Sequence, residues 1–276
     1  MRNRTIIALL VITVTLIAGI IAAMLFSALS GHKPAAQQTQ PAEIHESFEL
    51  AAGANVEVRG INGPIQIETS DTNAAEVHIT RTARSDEDLA RNRVIIERTP
   101  TSLSVRAENS REGLWQRFWS GWGGGDAKQE VRLRLPRRIE LTVRGVNGKV
   151  STGATEGSLR LNGINGRVEA GAISTNDAEV SGINGSLNLS ITRLGGRGAR
   201  INGVNGAINL SVAEGVNADL SVRGVNGRVT SEMPNVTLEG GEDRSNRTAR
   251  IGTGGTPLSI SGINGRVQLS PMTATN

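Results

Sequence analysis

Residues 141–168 read LTVRGVNGKVSTGATEGSLRLNGINGRV. The unit Gly-[Ile/Val]-Asn-Gly occurs twice in this stretch, at 145–148 and 163–166. It returns at 60–63, 182–185, 203–206, 224–227 and 262–265. From the second copy to the sixth the spacings are 18, 19, 21 and 21 residues. A period near 20 with glycine-rich turns is the mark of stacked repeats. The next gap is 38 residues, close to two periods, and a degenerate copy at Val236-Thr237-Leu238-Glu239-Gly240 is expected to fill it.

The pattern around each unit is wider than four residues. Apolar residues stand four and two positions before the first glycine: Leu141 and Val143, Leu159 and Leu161, Leu220 and Val222, Leu258 and Ile260. Another stands five positions after it: Ile65, Val150, Val168, Leu187, Ile208, Val229 and Val267. The inward phase is even before the glycine and odd after it. Strand side chains alternate faces with period two, so this slip requires an extra residue or a sharp corner. Glycine adopts the positive φ that such corners need, and Asn-Gly is well suited to them. The expected fold is therefore all-β: a single-stack β-solenoid (β-helix or β-roll) of about 20-residue coils. A two-sheet sandwich is the alternative if the coils do not stack in register. Stacking places Asn62, Asn147, Asn165, Asn184, Asn205, Asn226 and Asn264 in one column, where successive amides at about 4.8 Å form a ladder. The column reads either as a structural turn that closes each coil or as a ligand-binding stripe.

Composition agrees with a repetitive fold. The chain has 276 residues with 2% aromatics and no Tyr, which argues against a core built on large rings. Its 34 glycines are periodic and its prolines only 8, a balance that favours recurrent turns over disorder. With no Cys, disulfides, thiol catalysis and cysteine zinc sites are excluded. The net charge of +4 is a mild pull toward anionic surfaces.

Residues 1–30 stand apart. Ile6 to Phe26 is an uncharged apolar run long enough to cross a bilayer's hydrocarbon core of about 30 Å, and Arg2 and Arg4 precede it. It reads as a transmembrane anchor with the body facing the periplasm or cell exterior. A cleaved secretory signal ending near Ala28-Leu29-Ser30 is the other reading. Residues 31–42 form a polar, Pro-bearing linker, 43–136 a set of N-terminal strands, 137–270 the repeats and 271–276 a tail.

Copies one and two lie 85 residues apart. Between them residues 76–82, 94–98 and 102–107 alternate like strands, and Ser85 to Arg91 reads as a short helix with a Ser cap and an acidic first turn. Residues 110–126 form an aromatic insertion that holds Trp115, Phe118, Trp119 and Trp122, four of the chain's six aromatics. Their spacing of i, i+3, i+4, i+7 is one helical face, flanked by Arg111 and Arg117. Trp beside Arg suits a membrane interface, a glycan or a partner groove; the other reading is a plug packed over the end of the stack.

The Gly-Ile/Val-Asn-Gly coils, the opening Phe48-Glu49-Leu50 to Val56-Glu57-Val58 and the strand Val131 to Pro136 resemble the bacterial putative-adhesin families of β-strand repeats, the head GIN domain group among them. The resemblance covers roughly residues 45–270. It implies an exported β-solenoid with surface-binding roles, with some relatives connected to envelope-stress responses, and it carries over no catalytic residues.

No catalytic signature emerges from the sequence. His32, His45 and His78 are scattered and show no metal-ligand spacing. No nucleophile elbow, P-loop or dinucleotide fingerprint is present, so neither enzyme activity nor a cofactor is expected. Arg59, Arg144 and Arg223 stand one position before the first glycine, and Lys149, Arg167, Arg228 and Arg266 four after it. Outward stripes of this kind either attract anionic lipids or glycans or keep the sheet soluble. The expected protein is an adhesin-like envelope scaffold with membrane, envelope-protein, anionic-lipid or glycan partners and no nucleic acid. The alternative is an envelope-stress sensor that makes contact through the Trp-rich segment.

Overall fold

The computed structural model describes residues 41–109, 127–234, 236, 238–239 and 246–272. The expected anchor, most of the linker, the aromatic insertion with Trp115, Arg117, Phe118, Trp119 and Trp122, and the last four residues lie outside the described residues. Those described belong to one compact unit, Thr39–Asn276. Among them no helix is long and apolar enough to cross a membrane.

The fold is all-β. Strands β1 (Ala42–Glu49), β2 (Ala54–Arg59), β3 (Ile65–Ser70) and β4 (Ala74–Thr82) precede a single short helix, α1 (Asp86–Arg91). Next come β5 (Asn92–Thr99), β6 (Ser102–Asn109), β7 (Lys128–Pro136), β8 (Ile139–Asn147), β9 (Val150–Thr152) and β10 (Thr155–Glu156). The remaining strands are β11 (Leu159–Val212), β12 (Ala218–Ser231), β13 (Arg247–Ile251) and β14 (Pro257–Pro271). The helix starts as its sequence dictates, with the Ser85 hydroxyl accepting from the Asp88 amide and acids filling the first turn.

All fourteen strands join one curled sheet whose main path is β1-β4-β7-β3-β9-β11-β8-β2-β6-β5. The path enters β11 through segments that follow a corner and leaves through segments that precede one. Both arms turn their apolar residues to a common core. Leu141, Val143, Val146 and Val150 are each at most 2% exposed, so the change of phase across the corner keeps both flanks pointing inward.

Successive repeats pair in parallel and in register. Leu159 lies against Leu141, Asn165 against Asn147 and Val168 against Val150. The two glycines of the unit have different reasons to be glycine. Gly163 has φ +64, a left-handed conformation, with room beside it for a side chain. Gly166 packs so closely that an added Cβ would stand 2.3 Å from the carbonyl oxygen of Gly148 in the preceding repeat.

The spatial order departs from the sequence order at the C-terminal end. Strand β14 lies between β11 and β12, pairing in parallel with both: Asn264 faces Asn205 on one side and Asn226 on the other. The degenerate copy expected at 236–240 adds no strand between β12 and β14, which pair directly. Among the described residues of that stretch, Glu239 makes an isolated antiparallel bridge to Thr248. The 38-residue gap is taken up by β13, which folds back antiparallel on β12. At the other end β6 and β7 pair in parallel with β2 and β3, and antiparallel β5, β4 and β1 follow outward. Arg98 of β5 donates to Glu46 of β1 at 3.0 Å and stands 5.0 Å from the centroid of the Phe48 ring, tying the two outermost strands together.

Candidate functional surface

The corners form one continuous edge. Along it Asn147 Nδ2 donates to Asn62 Oδ1, Asn165 to Asn147 and Asn184 to Asn165, each at 3.1 Å. Asn205 donates to Asn184 and Asn264 to Asn205 at 3.3 Å, and Asn226 to Asn264 at 3.4 Å. The structure thus brings all seven corner asparagines into one hydrogen-bonded column. Asn62, at its N-terminal end, donates to the carbonyl of Ala127 at 3.2 Å.

Two outward columns flank the amides. In the one before the first glycine, Arg106, Arg59 and Arg144 stand in register on three neighbouring strands. Arg106 is paired with Glu97 and Glu108, and Arg144 lies 3.6 Å from Glu57. In the other column, Lys149 and Arg167 share Glu169, at 2.5 and 3.7 Å. The Glu169 carboxyl is held below its ordinary range, chiefly by the hydrogen bond from Lys149 and further by the charges of Lys149 and Arg167, against a smaller upward push from burial. Arg228 and Arg266 sit side by side in this second column.

A shallow recess of about 260 Å³ opens at the N-terminal end of the edge, lined by Gly60, Asn62, Asn92, Glu108, Ala127 and Asn147 among others. Buried Gln129 closes the column there, its Oε1 accepting from the Asn62 amide at 3.2 Å. Residues 110–126 connect the strands that bound this recess.

Sequence reasoning missed three relationships. Arg106 belongs to the arginine column, and the signal was present: Leu103-Ser104-Val105-Arg106-Ala107 parallels Leu141-Thr142-Val143-Arg144-Gly145, with Ala in place of the corner glycine. His45 and His78, read as scattered, face each other across β1 and β4 with ring centroids 5.9 Å apart. Glu43 lies 3.9 Å from His78. Among the described residues no group of three or more His, Asp or Glu is arranged to hold a metal. The Arg98–Phe48 contact was equally invisible, since neither strand order nor facing can be read between residues 50 positions apart.

No protein-family model matches the chain. No curated protein matches it either. Among solved structures it is similar to a putative cell adhesion protein from Clostridium sporogenes ATCC 15579, at 10% identity and TM-score 0.41, over 84% of this chain and 100% of that one. A putative adhesin from Bacteroides fragilis NCTC 9343 is similar at 9% identity and TM-score 0.32, over 84% and 97%. A putative adhesin from Parabacteroides merdae ATCC 43184 is similar at 13% identity and TM-score 0.28, over 84% and 96%.

Proposed function

We propose that the chain is a non-enzymatic, adhesin-like scaffold: a β-solenoid held in the cytoplasmic membrane by residues 6–26, with its body in the periplasm or outside the cell. The observation that carries this reading is the corner edge. Seven copies of one polar turn, in register and locked by side-chain amides, give a stiff extended surface whose outward residues are free to vary while the core repeats. Such a surface suits binding along its length better than chemistry at one point. The domain reading belongs to the same proposal, with 31–42 as spacer, 43–136 as the N-terminal section and 137–270 as the repeat stack.

The test is membrane fractionation followed by protease treatment of spheroplasts. The expected result is a chain that sediments with membranes, survives carbonate extraction and loses its body to external protease. Quantitative release of a shortened soluble chain would overturn the anchor and leave a secreted protein.

A second reading makes the chain an envelope-stress sensor that contacts membrane through Trp115, Phe118, Trp119 and Trp122 with Arg117. The attachment of residues 110–126 favours it, since they leave and rejoin the sheet at the end of the corner edge, next to the arginine column. Liposome co-sedimentation separates the two readings. Binding by the wild type that is lost on replacing the three tryptophans with Ala supports the sensor; equal behaviour of the two proteins supports the scaffold.

A further inference from the structure

Arg228 and Arg266 are in-register neighbours on adjacent parallel strands. Both are exposed, and neither has a carboxylate partner among the described residues. Adjacent strands lie about 4.8 Å apart, and like charges directly opposite each other destabilise a sheet. Elsewhere on this edge most crowded cations have counter-ions: Lys149 and Arg167 share Glu169, Arg144 has Glu57, and Arg106 has Glu97 and Glu108, while Arg59 between the last two shares their column without an ion pair among the described residues.

A third exposed arginine lies across the corner from the pair. Arg223 precedes the same corner that Arg228 follows, is exposed, and has Ser261 as its neighbour on the adjacent strand. It lines a recess of about 170 Å³ together with Ser221, Glu239, Asn246, Arg247 and Thr248. Glu239 is the carboxylate among its described lining residues. Asn246 Oδ1 accepts from the Gly224 amide at 3.4 Å, which fixes the wall of the recess against the corner.

We infer that Arg228 and Arg266 form a phosphate-binding site that takes a phosphate group carried on an envelope polyanion. Two guanidinium forks one strand spacing apart can each offer paired N–H donors to a single tetrahedral oxyanion, whose charge offsets the repulsion between two like charges. The inference deepens the scaffold reading by giving the corner edge a ligand chemistry. Its test reads phosphate binding alone, so a chain that turns out to be unanchored leaves this result standing or falling by itself.

The experiment uses the full-length chain in neutral maltoside micelles at about 0.15 M salt, where long-range attraction is screened. Inorganic polyphosphate and phosphatidylcholine vesicles doped with phosphatidic acid are the two probes, separating a soluble phosphate chain from a lipid headgroup. The wild type is expected to bind at least one of them. Arg228→Ala/Arg266→Ala should weaken binding by about tenfold or more, and Arg266→Lys by less, because the charge survives without the fork. Arg132→Ala/Arg134→Ala, an equal change of charge on outward positions of β7, should bind as the wild type does. The bound probe should also raise the denaturation midpoint of the wild type and not that of the double variant. Equal losses in the two double variants overturn the proposal, as does failure to bind either probe.

Discussion

The side chain of Asn62 ends the amide column on the carbonyl of Ala127, at 3.2 Å. Val131 pairs with Ile65, which places Gln129 beside Gly63, where the next coil would have had its own corner. At that position the chain has no Gly-Ile-Asn-Gly, and residues 110–126 depart and return. The amide column therefore stops where the corner motif stops.

An interior rung of the column tests how much the amides contribute. Asn184→Ala removes the bond given to Asn165 and the one received from Asn205. On an exposed edge each lies at the low end of the usual range, so the variant should lose about 1 kcal/mol. Asn184→Asp should cost more above neutral pH, because a carboxylate accepts from Asn205 but sets oxygen against oxygen at Asn165. Urea midpoints of the two variants, with equal m-values, check the order.

The corner glycines separate conformational from steric demand. Gly206 has φ +145, and a Cβ there would lie 1.8 Å from the carbonyl oxygen of Gly185, a backbone atom that cannot turn away. Gly206→Ala should lose about 3 kcal/mol or more, combining backbone strain with overpacking. Gly215, at φ +85, has nothing within 4 Å of its added Cβ. Gly215→Ala should therefore cost only the left-handed conformation, about 1–2 kcal/mol. Equal midpoints for the two variants would contradict the close stacking.

Much of the fold was legible because it is local and periodic. The inward phase at Leu141, Val143 and Val150, the corner glycines and the asparagine column all follow from residues within one repeat. The all-β class and the capped helix at Asp86–Arg91 were equally readable. What was not legible is which strands become neighbours. Leu258-Ser259-Ile260 and Leu220-Ser221-Val222 carry the same pattern, and either would fit against the last coil of β11. A repeat signal fixes what a coil looks like and leaves the order of coils to the connections. The degenerate copy at 236–240 was an inference from period alone, and the antiparallel return of β13 is the connection that displaced it.

That order has a consequence for folding. Strand β12 is tied to the rest of the sheet through β14, which pairs with Ala199–Val212 on one side and Asp219–Ser231 on the other. Ending the chain after Thr256 should therefore detach β12 and β13 as well, exposing the apolar face of Leu220, Val222 and Val225. Hydrogen exchange should lose protection from about 218 onward while residues 141–170 keep theirs. Retained protection at Leu220 and Val222 would mean that β12 docks on β11 directly.

Glu169 offers a check of the electrostatics on the same edge. Its carboxyl is held below the ordinary 4.5, first by the hydrogen bond from Lys149. A depressed carboxyl contributes stability that is present above its unfolded value and is lost as the pH falls through the folded one. The contribution should therefore fade below about pH 4.5 and be constant at neutral pH. Its size is small, because the pair is largely exposed to solvent and screened. In Lys149→Ala the carbon-13 titration of the Glu169 carboxyl should move back up, and only part of the way, since Arg167 still lies 3.7 Å from it. A titration identical to the wild type would assign the depression to Arg167 and make the 2.5 Å contact with Lys149 electrostatically silent.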